Sequence, residues 1–311
     1  MIFKDFINAD KVFFCLKNLQ NEHIKKLLFK GVNDIITRNL FGKKGRNMEF
    51  FKTLYKNRKI AMKLGKNDFR NRFANTSLGT IWGFAQPFIF MLTYVIVFQY
   101  ILKTGSSGDY PYVVWFLPGM SMWMYCSDAI LTASNSIRNY SYLVKKVVFP
   151  VDIIPVISLT SSSFIGIFLM CIAIVVSSIF GYVPNFLNVL YILISAILFI
   201  IALTRFTSAL TTIVPDFAQL LNILIQLCMW FTPIIWNLDM LTEHPILINV
   251  FKCSPFTYLV EGFRQAFMEN STIITEQNGV FTIVFWAITV IIFVWGNHVF
   301  KKTKKDFADV L

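Results

Sequence analysis

The chain has 311 residues, of which 56% are hydrophobic and only 15% are charged, and its mean hydropathy is +0.59. A soluble domain carries about 25% charged residues, so this composition excludes a soluble fold, a disordered chain, a disulfide scaffold and a fibrous repeat, and it leaves a polytopic membrane protein. The net charge of +12 is uneven, because 18 of the 29 Lys and Arg precede residue 81. Since apolar runs follow this basic block, we interpret it as facing an anionic membrane surface and expect no nucleic acid partner.

Two basic segments precede the first apolar run. Residues 1–47 are predicted to be a basic cytoplasmic extension without the apolar stretch of a signal peptide. Within them, apolar residues at helical spacing from Ile24 to Val32 predict a short amphipathic helix, lying on the membrane or on a partner. Residues 48–79 are predicted to form an amphipathic interface helix that is interrupted at Gly65.

Residues 80–300 contain six apolar runs, each long enough to cross a bilayer. They lie at about 81–102, 112–133, 153–180, 187–214, 217–236 and 280–299. An even number of crossings puts both termini on one side, and the excess of Lys and Arg in the short loops places that side in the cytoplasm, together with the basic tail 301–311. The sequence therefore predicts an all-α, multi-pass protein of the cell membrane with both termini in the cytoplasm.

Residues that enzymes use are scattered along this chain. The histidines His23, His244 and His298 lie far apart, and no two of the five cysteines have the spacing of a zinc site or a redox pair. No phosphate-binding loop is present, so if the protein uses ATP, another chain must supply the ATPase. We predict no catalytic residue, no metal site and no cofactor in this chain, and we predict that it is not an enzyme.

Three charged residues fall within or near the apolar runs: Asp128, Arg205 and Asp216. Charges inside a membrane often mark functional sites. Here Asp128 lies near the end of its run in a polar stretch, Arg205 is placed to reach the cytoplasmic surface with its long side chain, and Asp216 follows Pro215 in a predicted turn. We therefore favour solvation at the interface or local pairing, and a functional role stays open.

The second apolar run contains a cluster of aromatic residues: Trp115, Trp123 and Tyr125. Trp115 and Trp123 are eight residues apart, which places them near one face of a helix. Aromatic rings stack on the C–H faces of sugars, so these residues are candidates for lining a glycan channel. The alternative, aromatic residues that face lipid or the protein core, applies to each of them singly.

The junction before the first apolar run carries an ordered motif. In this motif an acid and two basic residues are followed by an aromatic residue, the sequence Ser-Leu-Gly-x-x-Trp and a proline. The residues, in this order, are Asp68, Arg70, Arg72, Phe73, Ser77, Leu78, Gly79, Trp82 and Pro87. This motif resembles that of the ABC-2 type permeases that export polysaccharides such as O-antigen, capsule and teichoic acid. Gly79 and Pro87 are suited to turning the chain into the bilayer.

Three further segments are similar to this family, and the resemblance spans about residues 50–300. Leu143, Lys145, Lys146, Phe149 and Pro150 resemble the cytoplasmic loop that helps contact the ATPase. Thr232–Trp236, Ser254–Phe256 and Glu261–Arg264 resemble the end of the fifth span and the segment before the last span, where the family folds two short helices back into the membrane. This implies a re-entrant segment at about 237–275, containing Pro245 and Pro255 and preceded by Pro233, in which Glu261 and Arg264 are spaced to pair on one helical face.

The resemblance implies a permease that dimerises above a separate ATP-binding cassette subunit, in two copies, which would hold ATP and Mg²⁺. The substrate would be a lipid-linked polysaccharide, on a polyprenyl pyrophosphate carrier. Four basic residues of the interface helix would bind the anionic headgroup of this carrier: Lys63, Lys66, Arg70 and Arg72. Attraction to anionic lipid is an equal alternative for them. Competing functions are an ABC-2 exporter of drugs or lipids, a membrane-embedded glycosyl- or acyltransferase, and a secondary transporter.

Overall fold

The computed structural model describes residues 46–102, 110–146, 149–268 and 279–311. The predicted amphipathic helix between Ile24 and Val32 lies outside them. Contacts divide the chain into two units, 1–51 and 52–311. Helix α1, Arg46–Lys56, includes the last residues of the first unit, and the described part of the second unit is helical, without a β-strand.

The second unit contains eleven further helices among the described residues. They are α2 (Arg58–Arg72), α3 (Trp82–Val95), α4 (Tyr112–Asn139), α5 (Ser141–Lys146), α6 (Ile154–Ile179), α7 (Phe186–Ile213), α8 (Phe217–Phe231), α9 (Pro245–Lys252), α10 (Pro255–Gln265), α11 (Gly279–Thr303) and α12 (Phe307–Val310). A 3₁₀ turn precedes α3 at Gly79–Ile81 and α6 at Val151–Ile153, and a π turn, Ile96–Ile101, extends α3.

The interruption predicted at Gly65 is wrong. The break between α1 and α2 lies at Asn57, and Gly65 is buried in the middle of α2. A Cβ atom at Gly65 would lie 2.7 Å from Cβ of Thr160 and 3.0 Å from the carbonyl oxygen of Ile157, both on α6. Glycine therefore serves close packing of α2 on α6 at this position, and it does not end the helix.

A helix lies in each of the six predicted apolar runs, and four of these helical segments are long and apolar enough to cross a membrane. These four are Gly79–Ile101, Val151–Ile179, Phe186–Ile213 and Gly279–Thr303. Helix α8 has only 15 residues and ends at Phe231, five residues before the predicted end, because Thr232 is extended and Pro233 follows it. Helix α4 has 28 residues but carries many polar side chains.

Helix α4 is the centre of the second unit. It packs against α3, α6, α7, α8 and α10, and most of its 28 residues are buried. Its polar side chains are accommodated because neighbouring helices supply partners; the Ser134 hydroxyl, for example, lies 2.6 Å from the Thr207 hydroxyl of α7. A helix surrounded by protein can carry polar groups that lipid would not solvate.

Two short helices, α9 and α10, lie where the sequence predicts a helical hairpin before the last apolar run. Each begins with a proline at its first position, where the missing N–H has no helical partner to lose. The described part of the segment ends at Met268. Helix α10 packs on α4, α7 and α11, and so it is part of the core of the unit.

Candidate functional site

A cleft of about 710 Å³ lies between the start of α3, α4, α6 and the end of α2. One wall is a polar stripe on a single face of α4, formed by Ser127, Asp128, Thr132, Asn135 and Asn139. Apolar residues complete the lining, among them Pro87, Phe90, Met124, Leu131 and Leu169. A polar face inside a set of apolar helices provides a surface along which a hydrophilic molecule can make hydrogen bonds.

Arg72, at the end of α2, lies on the wall of this cleft. Its Nη1 donates a hydrogen bond to Asp128 Oδ2 at 3.3 Å, and its Nη2 donates to the carbonyl of Ser158 at 3.3 Å and to the Ser162 hydroxyl at 3.2 Å. Its Nε faces Asp68 Oδ2 at 3.4 Å as an ion pair without hydrogen-bond alignment. The guanidinium therefore joins α2 to α4 and α6.

These contacts correct the expectation that Arg72 is available for an anionic headgroup, because two carboxylates already neutralise it. The other predicted headgroup residues, Lys63, Lys66 and Arg70, are exposed. Arg70 also lines a second cavity of about 450 Å³, together with Asn67, Asn71, Phe73, Ala74, Gly79 and Thr80. Arg70 is thus the residue of this set that combines a free surface with a cavity.

The junction motif forms the turn between α2 and α3. Gly79 has a φ of +56°, a left-handed conformation that favours glycine, and it opens the 3₁₀ turn that leads into α3. Ser77, Leu78 and Trp82 are exposed, and Pro87 lies inside α3 and lines the cleft. The turn predicted from the glycine is therefore present, and the motif borders both cavities.

The three aromatic residues considered for a glycan channel are buried in the described chain. Trp115 stacks on the guanidinium of Arg264, Trp123 packs edge-to-face on Phe256, and the Tyr125 hydroxyl lies 3.4 Å from the Ser163 hydroxyl. Their rings fill the space between α4 and its neighbours. The channel hypothesis is wrong for these residues in the single chain, where the alternative, a role in the core, applies.

Arg264 of α10 is fully buried beside Trp115, with the guanidinium carbon 3.7 Å from the centre of the indole ring. Its Nε donates to the Trp115 carbonyl at 2.8 Å, Nη1 to the Pro233 carbonyl at 3.1 Å and Nη2 to the Ile234 carbonyl at 3.2 Å. Nη1 also pairs with Glu261 at 2.5 Å, as their three-residue spacing predicts. This cluster joins α10, the start of α4 and the turn after α8.

Arg205 of α7 is buried with about 1% of its surface exposed, so the expectation that it reaches the cytoplasmic surface is wrong. Its Nη2 donates to Asp152 at 3.1 Å and to Asn297 Oδ1 at 2.8 Å, and its guanidinium lies over the Phe300 ring. Asp152 also pairs with Lys304 beyond α11. Local pairing, the alternative considered for Arg205 and Asp128, is what both residues show.

Sequence reasoning overlooked Asp152 although a signal for it existed. Asp152 is the only acid between Asp128 and Asp216, and Arg205 is the only Lys or Arg between Lys146 and Lys252. A buried charge needs an opposite charge, so a lone acid and a lone base in neighbouring apolar runs are expected to pair. Asp216, the third charge considered, is exposed at the start of α8.

The predicted ATPase-contact residues surround the short helix α5. Leu143 is half-buried and Lys145 is exposed, while the side chain of Lys146 lies outside the described residues. Phe149 packs against a buried cluster that contains Ile137, Ile154, Phe300 and Phe307, and Pro150 precedes the 3₁₀ turn at Val151–Ile153. The cluster joins this loop to the C-terminal helix α12.

Comparison with known proteins places these features in a family. Residues 62–268 match the family model described as ABC-2 type transporter. The chain is 24% identical over 250 residues to the O-antigen export system permease protein RfbA of Klebsiella pneumoniae, a match that covers 78% of this chain and 92% of that protein. The protein of the same name from Myxococcus xanthus is 20% identical over 258 residues, covering 82% of this chain and 96% of that protein. Because the family model matches more than half of the chain, this membrane protein belongs to the ABC-2 type transporter family.

Proposed function

We propose that this chain is the permease subunit of an ATP-binding cassette exporter that moves a lipid-linked polysaccharide, of the O-antigen or teichoic acid type, across the cytoplasmic membrane. The observation that carries the proposal is the cleft with a polar stripe on α4, because a glycan needs a hydrogen-bonding surface where the surrounding helices are apolar. The names of the relatives, O-antigen export system permease, support the substrate class.

The proposal includes six membrane crossings, with α4 and α8 as the second and the fifth. Helix α4 is long enough to cross at 1.5 Å per residue, and its polar groups face protein or the cleft. Helices α9 and α10 would form the re-entrant segment, and the buried Arg264 cluster supplies partners for carbonyls there. Both termini would then lie in the cytoplasm, on the side that carries most of the Lys and Arg.

A separate ATPase would supply the energy, with two copies below a homodimer of this chain. The family to which the chain belongs supports a partner of this kind. Helix α5 would be its docking element, because it carries the exposed Lys145 and continues directly from the central helix α4. Its position connects the ATPase to the cleft through one helix, so that closure of the ATPase dimer would move α4.

The anionic pyrophosphate of a polyprenyl carrier would bind beside α2. Arg70 is the residue best placed for this contact, because it is exposed and lines the cavity of about 450 Å³ with three amide or hydroxyl side chains, those of Asn67, Asn71 and Thr80. Lys66, one turn before it, and Lys63, two turns before it, would add long-range attraction. Anionic lipid would compete for the same surface.

The test is a purification of the tagged chain in mild detergent, followed by mass spectrometry of the bound proteins and lipids. We expect a stoichiometric ATP-binding cassette subunit and a polyprenyl-linked glycan. If a stoichiometric ATPase is found together with a drug or with a lipid that carries no glycan, the proposed substrate is wrong, but the assignment as an ABC-2 exporter stands. A folded sample that retains no ATPase would overturn the proposal.

A further inference from the structure

We infer that the Tyr140 hydroxyl is a mechanical link that transmits movement of helix α5 to helix α2 and thereby to the wall of the cleft. The inference rests on the proposed function, because it assigns a positioning role within the same exporter. Tyr140 is the residue between α4 and α5. A residue in this place moves whenever the angle between the two helices changes.

The link itself is one hydrogen bond between residues far apart in sequence. The Tyr140 hydroxyl donates to Asp68 Oδ1 at 2.5 Å across a sequence separation of 72 residues. Asp68 lies in the last turn of α2, and its other oxygen faces Arg72. A hydrogen bond to an ionised carboxylate is shorter and stronger than one between neutral groups. Tyr140 therefore holds the end of α2 directly to the start of α5.

The second half of the link is Arg72, which carries the contact from α2 to the cleft. Its guanidinium binds Asp128 of α4 and Ser158 and Ser162 of α6. Asp68, Arg72 and Asp128 all line the cleft. A displacement of Tyr140 that pulls Asp68 is thus applied to the residues that form the wall of the cleft.

The environment of Tyr140 keeps this hydrogen bond intact. Burial, together with the hydrogen bond to Asp68, raises the pKa of the Tyr140 phenol above its usual value, so the hydroxyl stays protonated and remains a donor. Tyr140 packs against the buried cluster that contains Ile137, Ile154, Phe300 and Phe307. Replacing the tyrosine by phenylalanine retains this packing, so the effect of the hydroxyl can be measured alone.

The experiment compares Tyr140→Phe with the unchanged complex of permease and ATPase in proteoliposomes, measuring ATP hydrolysed per polyprenyl-linked glycan transported. We expect the variant to assemble normally and to hydrolyse about ten times more ATP per glycan, since a hydrogen bond to a charged group contributes about tenfold or more to an equilibrium. The matched control is Tyr100→Phe, because Tyr100 is exposed and lies in the π turn at the end of α3 that is remote from α2. Equal ratios for Tyr140→Phe and the unchanged complex would overturn the inference.

A second measurement does not depend on the substrate. Amide hydrogen exchange in α2 of the purified complex should become about tenfold faster in Tyr140→Phe and stay unchanged in Tyr100→Phe. If the unchanged complex transports no glycan, the proposed function is wrong. The exchange rates in α2 still test whether the hydrogen bond from Tyr140 holds this helix. If transport occurs but α2 exchanges equally in all three proteins, the link is wrong and the proposed function stands.

Discussion

Two arginine clusters contact the central helix α4, one near its start and one in its second half, and they differ in their exposure to solvent. Arg264, near the start of α4, is 0% exposed and donates to three backbone carbonyls and one carboxylate. Arg72 has 18% of its side chain exposed, and its partner Asp128, in the second half of α4, has 39% exposed on the wall of the cleft. We call the buried Arg264 cluster the closed joint and the partly exposed pair of Arg72 and Asp128 the accessible joint.

This difference in solvent exposure indicates which part of α4 is suited to move. Breaking the Arg264 cluster would leave carbonyls and a charge without partners inside protein, which is a large cost. The groups around Arg72 can exchange a protein partner for water as the cleft changes shape, so the same movement costs less there. We therefore expect the start of α4 at Arg264 to be fixed and the part of α4 that contacts Arg72 to rearrange during transport.

The largest effect is expected for Arg264→Met. It removes the donors of the Trp115, Pro233 and Ile234 carbonyls, and we expect the free energy of unfolding to fall by about 3–5 kcal/mol, the range for breaking a buried ion pair. Thermal unfolding in detergent measures it, with the exposed Arg138→Met as the control. Equal stability of the two variants would show that the closed joint is not a stabilising element.

The next effect tests a second closed joint, the pair of Arg205 and Asp152. Asp152→Asn keeps the shape but removes the carboxylate charge that faces the buried Arg205 and Lys304. We expect a loss of about 2–3 kcal/mol, below the full cost of an unpaired buried charge because Asn297 still accepts from Arg205. The same unfolding measurement applies, and the exposed Asp216→Asn is its control. A loss no larger than that of the control would contradict the assignment.

Gly65→Ala tests how closely α2 is held to α6. The added Cβ would lie 2.7 Å from Cβ of Thr160, so we expect a loss of about 1–3 kcal/mol from overpacking, although alanine is the better helix former. At Gly279, the first residue of α11, an added Cβ meets no atom of the described residues within 4 Å. Gly279→Ala should therefore be neutral or slightly stabilising, and a stabilising Gly65→Ala would refute the close contact.

The smallest effect is expected for Asp128→Asn at the accessible joint. Because Asp128 is more than a third exposed, water screens its pair with Arg72, and we expect a loss of about 0.5 kcal/mol that shrinks further at high salt. Unfolding at low and high NaCl concentration measures this dependence. A loss of unfolding free energy that is independent of salt and as large as that of Arg264→Met would contradict the difference between the two arginine clusters.

The helices were predictable from the sequence where composition alone decides, as in the apolar runs that become α3, α6, α7 and α11. The Glu261–Arg264 pair also followed from local spacing. Contacts between distant segments were not predictable in this way. The sequence around Gly65 does not show whether this glycine interrupts a helix or makes room for Thr160. Trp123 packs against Phe256, which is far from it in the sequence. The hydrogen bond between Tyr140 and Asp68 has no local signal at all.

The most direct test of the account is ATP-dependent transport by the reconstituted permease and ATPase, with a polyprenyl-linked glycan added to one side of the proteoliposome membrane. We predict that the glycan moves only when ATP is hydrolysed, and that Asn135→Leu on the polar stripe slows transport without preventing assembly. Transport that needs no ATP, or the absence of transport by a fully assembled complex, would contradict the assignment as a polysaccharide export permease.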